Sequence, residues 1–460
     1  MARPRAGSQS DCRTTDIRVL SPTALHGESS WRHESTTLAR TSWPLILAFL
    51  LQYSLPVASV FTVGHLGKIE LGAVSLAGMT ANITGYAVYR GLATALDTLC
   101  AQAYGSGHKT LVGLHMQRMV CLLWMVTIPV GLIWFSSPWI LSMIVPEKET
   151  ARMAGLYLRI LLLGAPGWSA FEVGKRFVQA QGIFTAQLCI LLVLAPLNGF
   201  LHWLFVWHFK WGFVGAPIAV AVTNTLLPLS LIAYNWGPMI SLALPGLLMV
   251  EAEWLAFEIL TLSSSFLGPD VLAAQSIVIT LATLASQVPT PLSIAASTRV
   301  ANLIGAELAS QARLAAKVAL AGGVCVGAFN AAVFASLRNY IPRLFTNDED
   351  VARLVATLLP LCTMFQMLDA LATGCNALLR GIGRQEVGGY VCLGCFYIVG
   401  LPISYVLAFV AHWDLFGLWA GPSLALGLVA AIEACFLFTT GWDQAVEEAK
   451  TRIPLLQNGY

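Results

Sequence analysis

Charge is what this 460-residue chain has least of. Asp, Glu, Lys and Arg make up 11% of it, under half of the roughly 25% usual in soluble domains. That shortage excludes a soluble globular protein. A net charge of +2 leaves no basic surface for nucleic acid. HExxH, a Gly-rich phosphate loop and a Ser/His/Asp constellation are missing, so the chain does not read as an enzyme. Short alternating apolar/polar segments are missing too, which excludes a membrane β-barrel. No apolar run precedes Trp43, so a cleavable signal peptide is not expected. The ten cysteines are scattered, and Cys392 and Cys395 form a CxxC without nearby His or a second CxxC. These read as buried small hydrophobes, not as a disulfide framework or a metal site.

What the chain has instead is apolar length. Hydrophobic residues make up 57% of it, and mean hydropathy is +0.71. A spanning helix needs about 20 mostly apolar residues. Twelve such segments are expected, at 43–63, 71–96, 115–136, 153–176, 184–207, 213–234, 241–263, 271–296, 315–337, 353–376, 388–411 and 415–438. The fold class is an all-α membrane protein. Residues 1–40, polar and Arg-rich, read as a disordered cytosolic tail, and 441–460 as a second cytosolic tail. With both ends cytosolic, seventeen Lys and Arg fall inside and eight outside, Arg90 being left out within the second span. That asymmetry fits the positive-inside rule.

A shift of about 200 residues superimposes the chain on itself. LATALDTLCAQAYG (92–105) lies over LSIAASTRVANLIG (292–305), with identities at Leu92/Leu292, Ala95/Ala295, Thr98/Thr298, Ala101/Ala301 and Gly105/Gly305. Pro44 and Pro245 match at 201, and near 205 Gly212 and Pro217 match Gly417 and Pro422. Two six-helix lobes follow, 41–234 and 235–440, related by a pseudo-twofold along the membrane normal because an even helix count keeps their orientation. Transporters built from such repeats hold substrate between the halves and expose it alternately.

Acidic residues at lipid depth are expensive and therefore functional suspects. Glu251, Glu253 and Glu258 lie in one apolar stretch, and Asp369 lies alone in another. Glu253 and Glu258 are five apart, about 140° around a helix, so a straight helix cannot aim both at one stripe. Glu172 is expected to pair with Arg176 at i, i+4 on a helix surface. Asp97 and Arg118 are expected to form a gate or packing network, and His65 to stabilise a turn.

Several stretches together resemble eukaryotic MATE (multidrug and toxic compound extrusion) transporters, most closely the fungal branch. They are VGHLGKIELGAVSLAGMTANITGYA (63–87), GLATALDTLCAQAYGSGH (91–108), GKRFVQAQGIF (174–184), EWLAFE (253–258), AAQSIV (273–278), STRVANLIGA (297–306) and LLRGIGRQEVGGYV (378–391). The resemblance implies two six-helix lobes and efflux of organic substrates in exchange for H+ or Na+. EWLAFE is similar to the family's helix-7 motif, whose acidic ends are Glu253 and Glu258 here. LDALATG (368–374) is similar to the helix-10 segment whose acidic residue is Asp369 here. Glu251 inherits nothing. Three features depart from the pattern: Arg90 stands where Gln is typical, Cys392 stands where Asn is usual, and the link after Tyr234 is short.

The expected function is therefore a secondary antiporter exporting organic, mainly cationic, compounds in exchange for H+, with Na+ as the alternative ion and no cofactor. Glu253, Glu258 and Asp369 form the primary proton or substrate site, with Glu251, Glu172, Asp97 and Arg90 secondary. Small organic substrates and the lipid bilayer are the partners of a monomer in the vacuolar or plasma membrane. A lipid-linked oligosaccharide flippase of related fold and a transport-inactive receptor or scaffold are the alternatives.

Overall fold

A computed structural model describes residues 30–144, 147–232, 255–257, 259–261, 263–264, 267, 269–338, 340–342 and 349–457. Every regular element among them is helical. In the first half these are α1 (Trp31–Gly64), α2 (Lys68–Ala81), α3 (Ala87–Ala93), α4 (Ala95–Gly105), α5 (Lys109–Ile144), α6 (Lys148–Leu161), α7 (Ala165–Ala180), α8 (Thr185–His202) and α9 (Gly215–Ile232). In the second half they are α10 (Pro269–Ser286), α11 (Pro289–Gly305), α12 (Ala309–Ser336), α13 (Glu349–Ile382), α14 (Gln385–Leu393), α15 (Leu401–Tyr405), α16 (Asp414–Thr439) and α17 (Trp442–Gln457).

Nine helical stretches among the described residues are long and apolar enough to cross a membrane. The expected second span is helical too, but breaks into α2, a π turn at Asn82–Tyr86, α3 and α4. The expected fourth is interrupted at Leu162–Gly164 between α6 and α7. The expected seventh, 241–263, lies for the most part outside the described residues. Side chains such as Phe61, Leu163, Val193 and Ile398 are more than 65% exposed. Apolar exposure on this scale is what a lipid-facing belt presents. The protein is an integral, multi-pass membrane protein.

Both expected tails contain structure. Ser30 caps α1 by accepting a hydrogen bond from the His33 amide at 3.3 Å, so helix begins at Trp31 and not near residue 41. Glu34, Leu38, Ser42, Leu45 and Ala48 are its buried stripe, at the three-to-four spacing of one helical face. At the other end α17 buries Trp442, Ala445, Val446 and Ala449 against α11 and α12. Arg384 reaches Glu448 on α17 at 2.5 Å, and Lys450 on α17 reaches Glu307 at 3.0 Å. Lys450 also donates to Glu447 at 3.0 Å, and the hydrogen bonds to Glu307 first and then Glu447 hold its ammonium above the usual lysine pKa.

The internal repeat is visible in the backbone. Eight described residues have left-handed φ, and they fall into four pairs: Gly107/Glu307 (84° and 65°), Gly182/Gly383 (78° and 79°), Lys210/His412 (58° and 55°) and Gly212/Asp414 (55° and 44°). The offsets within the pairs run from 200 to 202. Left-handed geometry is costly for residues other than glycine, so its recurrence at matched positions reflects one architecture used twice. One detail of the alignment changes. A Cβ on Gly215 would sit 2.8 Å from the Phe205 carbonyl carbon, and one on Gly417 2.6 Å from that of Leu407. Gly215, not Gly212, is therefore the mate of Gly417, and the offset near the sixth span is 202, not 205.

The halves meet where α4 crosses α11. A Cβ on Gly105 would lie 2.1 Å from the Asn302 carbonyl oxygen, and a Cβ on Gly305 would lie 2.1 Å from that of Gln102. The contact is reciprocal, so the pseudo-twofold axis passes between these helices. Only glycine lets two backbones approach this closely. Side chains repeat the symmetry: Gln102 Nε2 donates to the Gly381 carbonyl at 3.1 Å, and Asn302 Nδ2 donates to that of Ala180 at 3.4 Å.

Candidate functional site

Asp369 lies on α13, only 6% exposed, within the second half. α13 packs on α10, α11, α12 and α16, so the carboxyl is enclosed by its own lobe. Thr373 stands one turn later on the same helix. Gln366, Asp369, Thr373 and Asn376 fall within about 80° of one another around the helix. They form a polar stripe on an otherwise apolar element, and Gln366, Asp369 and Asn376 are buried. Apolar packing fixes the surroundings: Phe257, Phe365 and Trp419 make mutual ring contacts at 5.2–6.0 Å. Trp419 Nε1 donates to Gln275 at 2.7 Å, which locks α10 to α16.

Glu251, Glu253 and Glu258 lie outside the described residues. The short link after Tyr234 lies outside them as well.

The secondary residues gather in the first half, with different partners from those expected. Glu172 is fully buried on α7 and takes Lys175 at 2.5 Å, at i, i+3. Arg176 is buried and turns instead to Asp97. The surface pair Glu172–Arg176 does not form, because α7 is inside the lobe and Asp97 on α4 offers a carboxylate within reach. Asp97 also faces Arg380 of the second half at 3.6 Å, so its partners are Arg176 and Arg380 rather than Arg118. Lys175 Nζ sits 5.8 Å from the Phe49 and Phe171 ring centres. Arg90, half-buried, lies over Trp168 at 5.7 Å, and Trp168 stacks near Tyr86 at 4.5 Å. His65 behaves as a turn residue, its Nδ1 against the Phe61 carbonyl at 2.8 Å. Cys392 faces Asn376 at 3.9 Å, so it lies against the polar stripe. Among the described residues no group of three or more His, Cys, Asp or Glu is placed to hold a metal ion.

Two buried charges stand outside the residues that the sequence singles out. Glu433, in α16, is 0% exposed. The apolar run AAIEACFLF around it carried the same lipid-depth signal as Asp369. Glu34, 2% exposed, accepts two hydrogen bonds from Arg299, Nη2 at 2.8 Å and Nε at 3.1 Å. This bidentate pair joins α1 to α11 across the halves, next to the crossing at Gly105 and Gly305. Thr98 Oγ1 donates to the Arg380 carbonyl and accepts from Gln385 Nε2 at 2.9 Å. One end of the molecule is thus sealed by two ion-pair groups and a set of hydrogen bonds between lobes.

Comparison with known proteins places this architecture. The MatE family model matches residues 44–204 and again 245–406, an offset of 201 between the two starts. An uncharacterized transporter of Schizosaccharomyces pombe is 40% identical over 442 residues, covering 91% of this chain and 82% of the relative. Multidrug and toxin extrusion protein 2 of Mus musculus is 32% identical, covering 92% and 78%. The crystal structure of the eukaryotic MATE transporter AtDTX14 superimposes with a TM-score of 0.87 at 29% identity, covering 92% of this chain and 99% of that one. Twelve helices in two six-helix lobes, duplicated at an offset near 200, are the fold of this protein. The chain belongs to the MatE family of membrane transporters.

Proposed function

We propose that the protein is an H+-coupled antiporter that exports organic, mainly cationic, compounds by alternating access. The observation that carries this reading is Asp369, a carboxyl enclosed in the second lobe on a polar stripe. A carboxyl at that depth is costly when ionised and unpaired. It is stable when it holds a proton or a cation, and it cannot hold both. That mutual exclusion is the elementary requirement of exchange. Glu253 and Glu258 are assigned to the same site on their place in the sequence. A multidrug and toxin extrusion protein stands among the relatives, which supports organic substrates. The buried carboxyl favours a cationic substrate over the anionic headgroup that a flippase would carry.

The crossing supports alternating access. The sealed end carries the start of α1 and the chain's last helix, and by the distribution of Lys and Arg it is the cytosolic end. Loading substrate from the cytosol therefore requires the crossing at Gly105 and Gly305 to part. The monomer is taken as the working unit, in the vacuolar or plasma membrane. The test is uptake of a fluorescent organic cation into reconstituted vesicles under an imposed pH gradient, with a Na+ gradient as the second arm. Uptake driven by pH alone supports the reading. Uptake that follows Na+ and ignores pH rejects H+ as the coupling ion, and no gradient-driven uptake at all rejects antiport.

A further inference from the structure

Gln366 sits one turn before Asp369 on α13 and is fully buried, yet among the described residues neither Oε1 nor Nε2 has a hydrogen-bond partner. Other buried amides of this lobe, Asn302 and Gln385, leave one end open, and Gln366 leaves both. Gln275 accepts from Trp419 and donates to Thr261, Asn330 donates to the Ala285 carbonyl at 3.1 Å, and Asn376 faces Cys392. Burying an amide with both ends open is costly, because its desolvation is not repaid by any hydrogen bond. A leucine of similar volume would avoid that cost altogether. A polar side chain kept at such expense is one that binds something.

The repeat sharpens the point. At the offset of 201, Gln366 and Asp369 correspond to Ala165 and Trp168 in the first lobe. At these two positions the amide and the carboxyl belong to the second lobe alone; the first lobe carries its buried carboxyl, Glu172, one turn later, at the mate of Thr373. Resting on the proton-coupled reading above, we infer that Gln366 is a positioning residue for Asp369, holding a water molecule that carries the proton to and from its carboxyl. An amide offers one donor group and one acceptor, which is what a water relay needs at each link. A buried water takes two to four polar partners. Gln366, Asp369 and Thr373 supply that number from one helix face. Proton transfer to a buried acid through a single water is chemically ordinary.

The experiment separates a relay from a packing role because the two move stability and transport in opposite directions. Gln366→Leu and Gln366→Asn are compared with wild type for thermal midpoint, for pH-driven organic-cation exchange and for its pH profile. The relay predicts that Gln366→Leu keeps or raises the midpoint, since an open buried amide is replaced by hydrocarbon. Exchange falls at least about tenfold, as for partners that orient a buried ligand, KM for the cation changes less than about twofold, and the pH profile moves. Gln366→Asn, which keeps a donor and an acceptor, restores part of the rate. A Gln366→Leu protein with wild-type rate and pH profile overturns the inference. So does one with a lowered midpoint, because the amide would then be part of the packing. A wild type that ignores the pH gradient rejects the coupling reading itself, whatever the variants do.

Discussion

Replacing Gly105 or Gly305 by alanine tests how the lobes open. Each added Cβ would lie 2.1 Å from a carbonyl oxygen of the opposing helix, Asn302 in one case and Gln102 in the other. An ordinary carbon–oxygen contact is more than an ångström longer, and the obstacle is backbone, which cannot rotate away. The helices must therefore separate locally, at about 1–3 kcal/mol for this kind of overpacking. That cost falls on the state in which α4 and α11 touch and is absent from the state in which they have parted. At about 2 kcal/mol the balance shifts roughly thirtyfold toward the state open at this end. The assay is thiol labelling of a single cysteine placed at Thr98, in a background without reactive native cysteines. Thr98 is 0–3% exposed together with its mate Thr298, so labelling reports opening. Each alanine should raise the labelling rate severalfold or more. Because the contact is reciprocal, the two single variants should agree within about a factor of three. The double variant should add less than the sum, since the first substitution already separates the helices. Unchanged labelling in both variants, with the protein folded, would refute the crossing as the closed gate.

Three further outcomes follow from the same geometry. Arg299→Ala strands the buried Glu34 carboxylate and should cost about 3–5 kcal/mol, read as a lowered thermal midpoint or raised thiol labelling at the sealed end; the swap Glu34→Arg with Arg299→Glu should recover part of the loss. Lys175→Met leaves Glu172 buried without its ammonium and should lower the midpoint by a similar amount, whereas the double change to Met and Gln should recover most of it. Trp419→Phe removes the donor to Gln275 and should cost about 1–3 kcal/mol, with pH-driven exchange retained at reduced stability.

Most of the fold was legible because lipid-depth helices announce themselves by length and composition. The expected third span, 115–136, is the middle of α5, and the expected tenth, 353–376, is the middle of α13. Glycine and the left-handed backbone pairs carry the repeat, so identities such as Gly105/Gly305 were already visible in the chain. Helix at the termini is hard to read because polarity outweighs the short-range signals there. Ser30 is a helix cap in a polar stretch, and Trp442, Ala445, Val446 and Ala449 recur at one-face spacing in a segment taken for a tail. Of the candidate site, the burial of Asp369 was legible, because a lone carboxyl in an apolar run is informative by itself. Glu433, in the apolar run AAIEACFLF, carries the same signal. Pairings such as Glu34–Arg299 and Asp97–Arg380 span more than 260 residues. No local periodicity encodes them, because the partner is set by how the lobes cross. The Glu172–Arg176 expectation failed for the same reason: helical spacing allows the pair, but burial and Asp97 decide against it.

Exchange on one carboxyl has a direct signature, proton release when substrate binds. Purified protein in weakly buffered detergent with a pH indicator, titrated with an organic cation, measures it without any membrane. The account predicts that wild type releases protons in proportion to cation bound, and that Asp369→Asn, folded to the same thermal midpoint, loses the Asp369 share of that release. Cation binding by wild type with no proton released, or release of the same size from Asp369→Asn, would contradict the assignment of Asp369 as the coupling site.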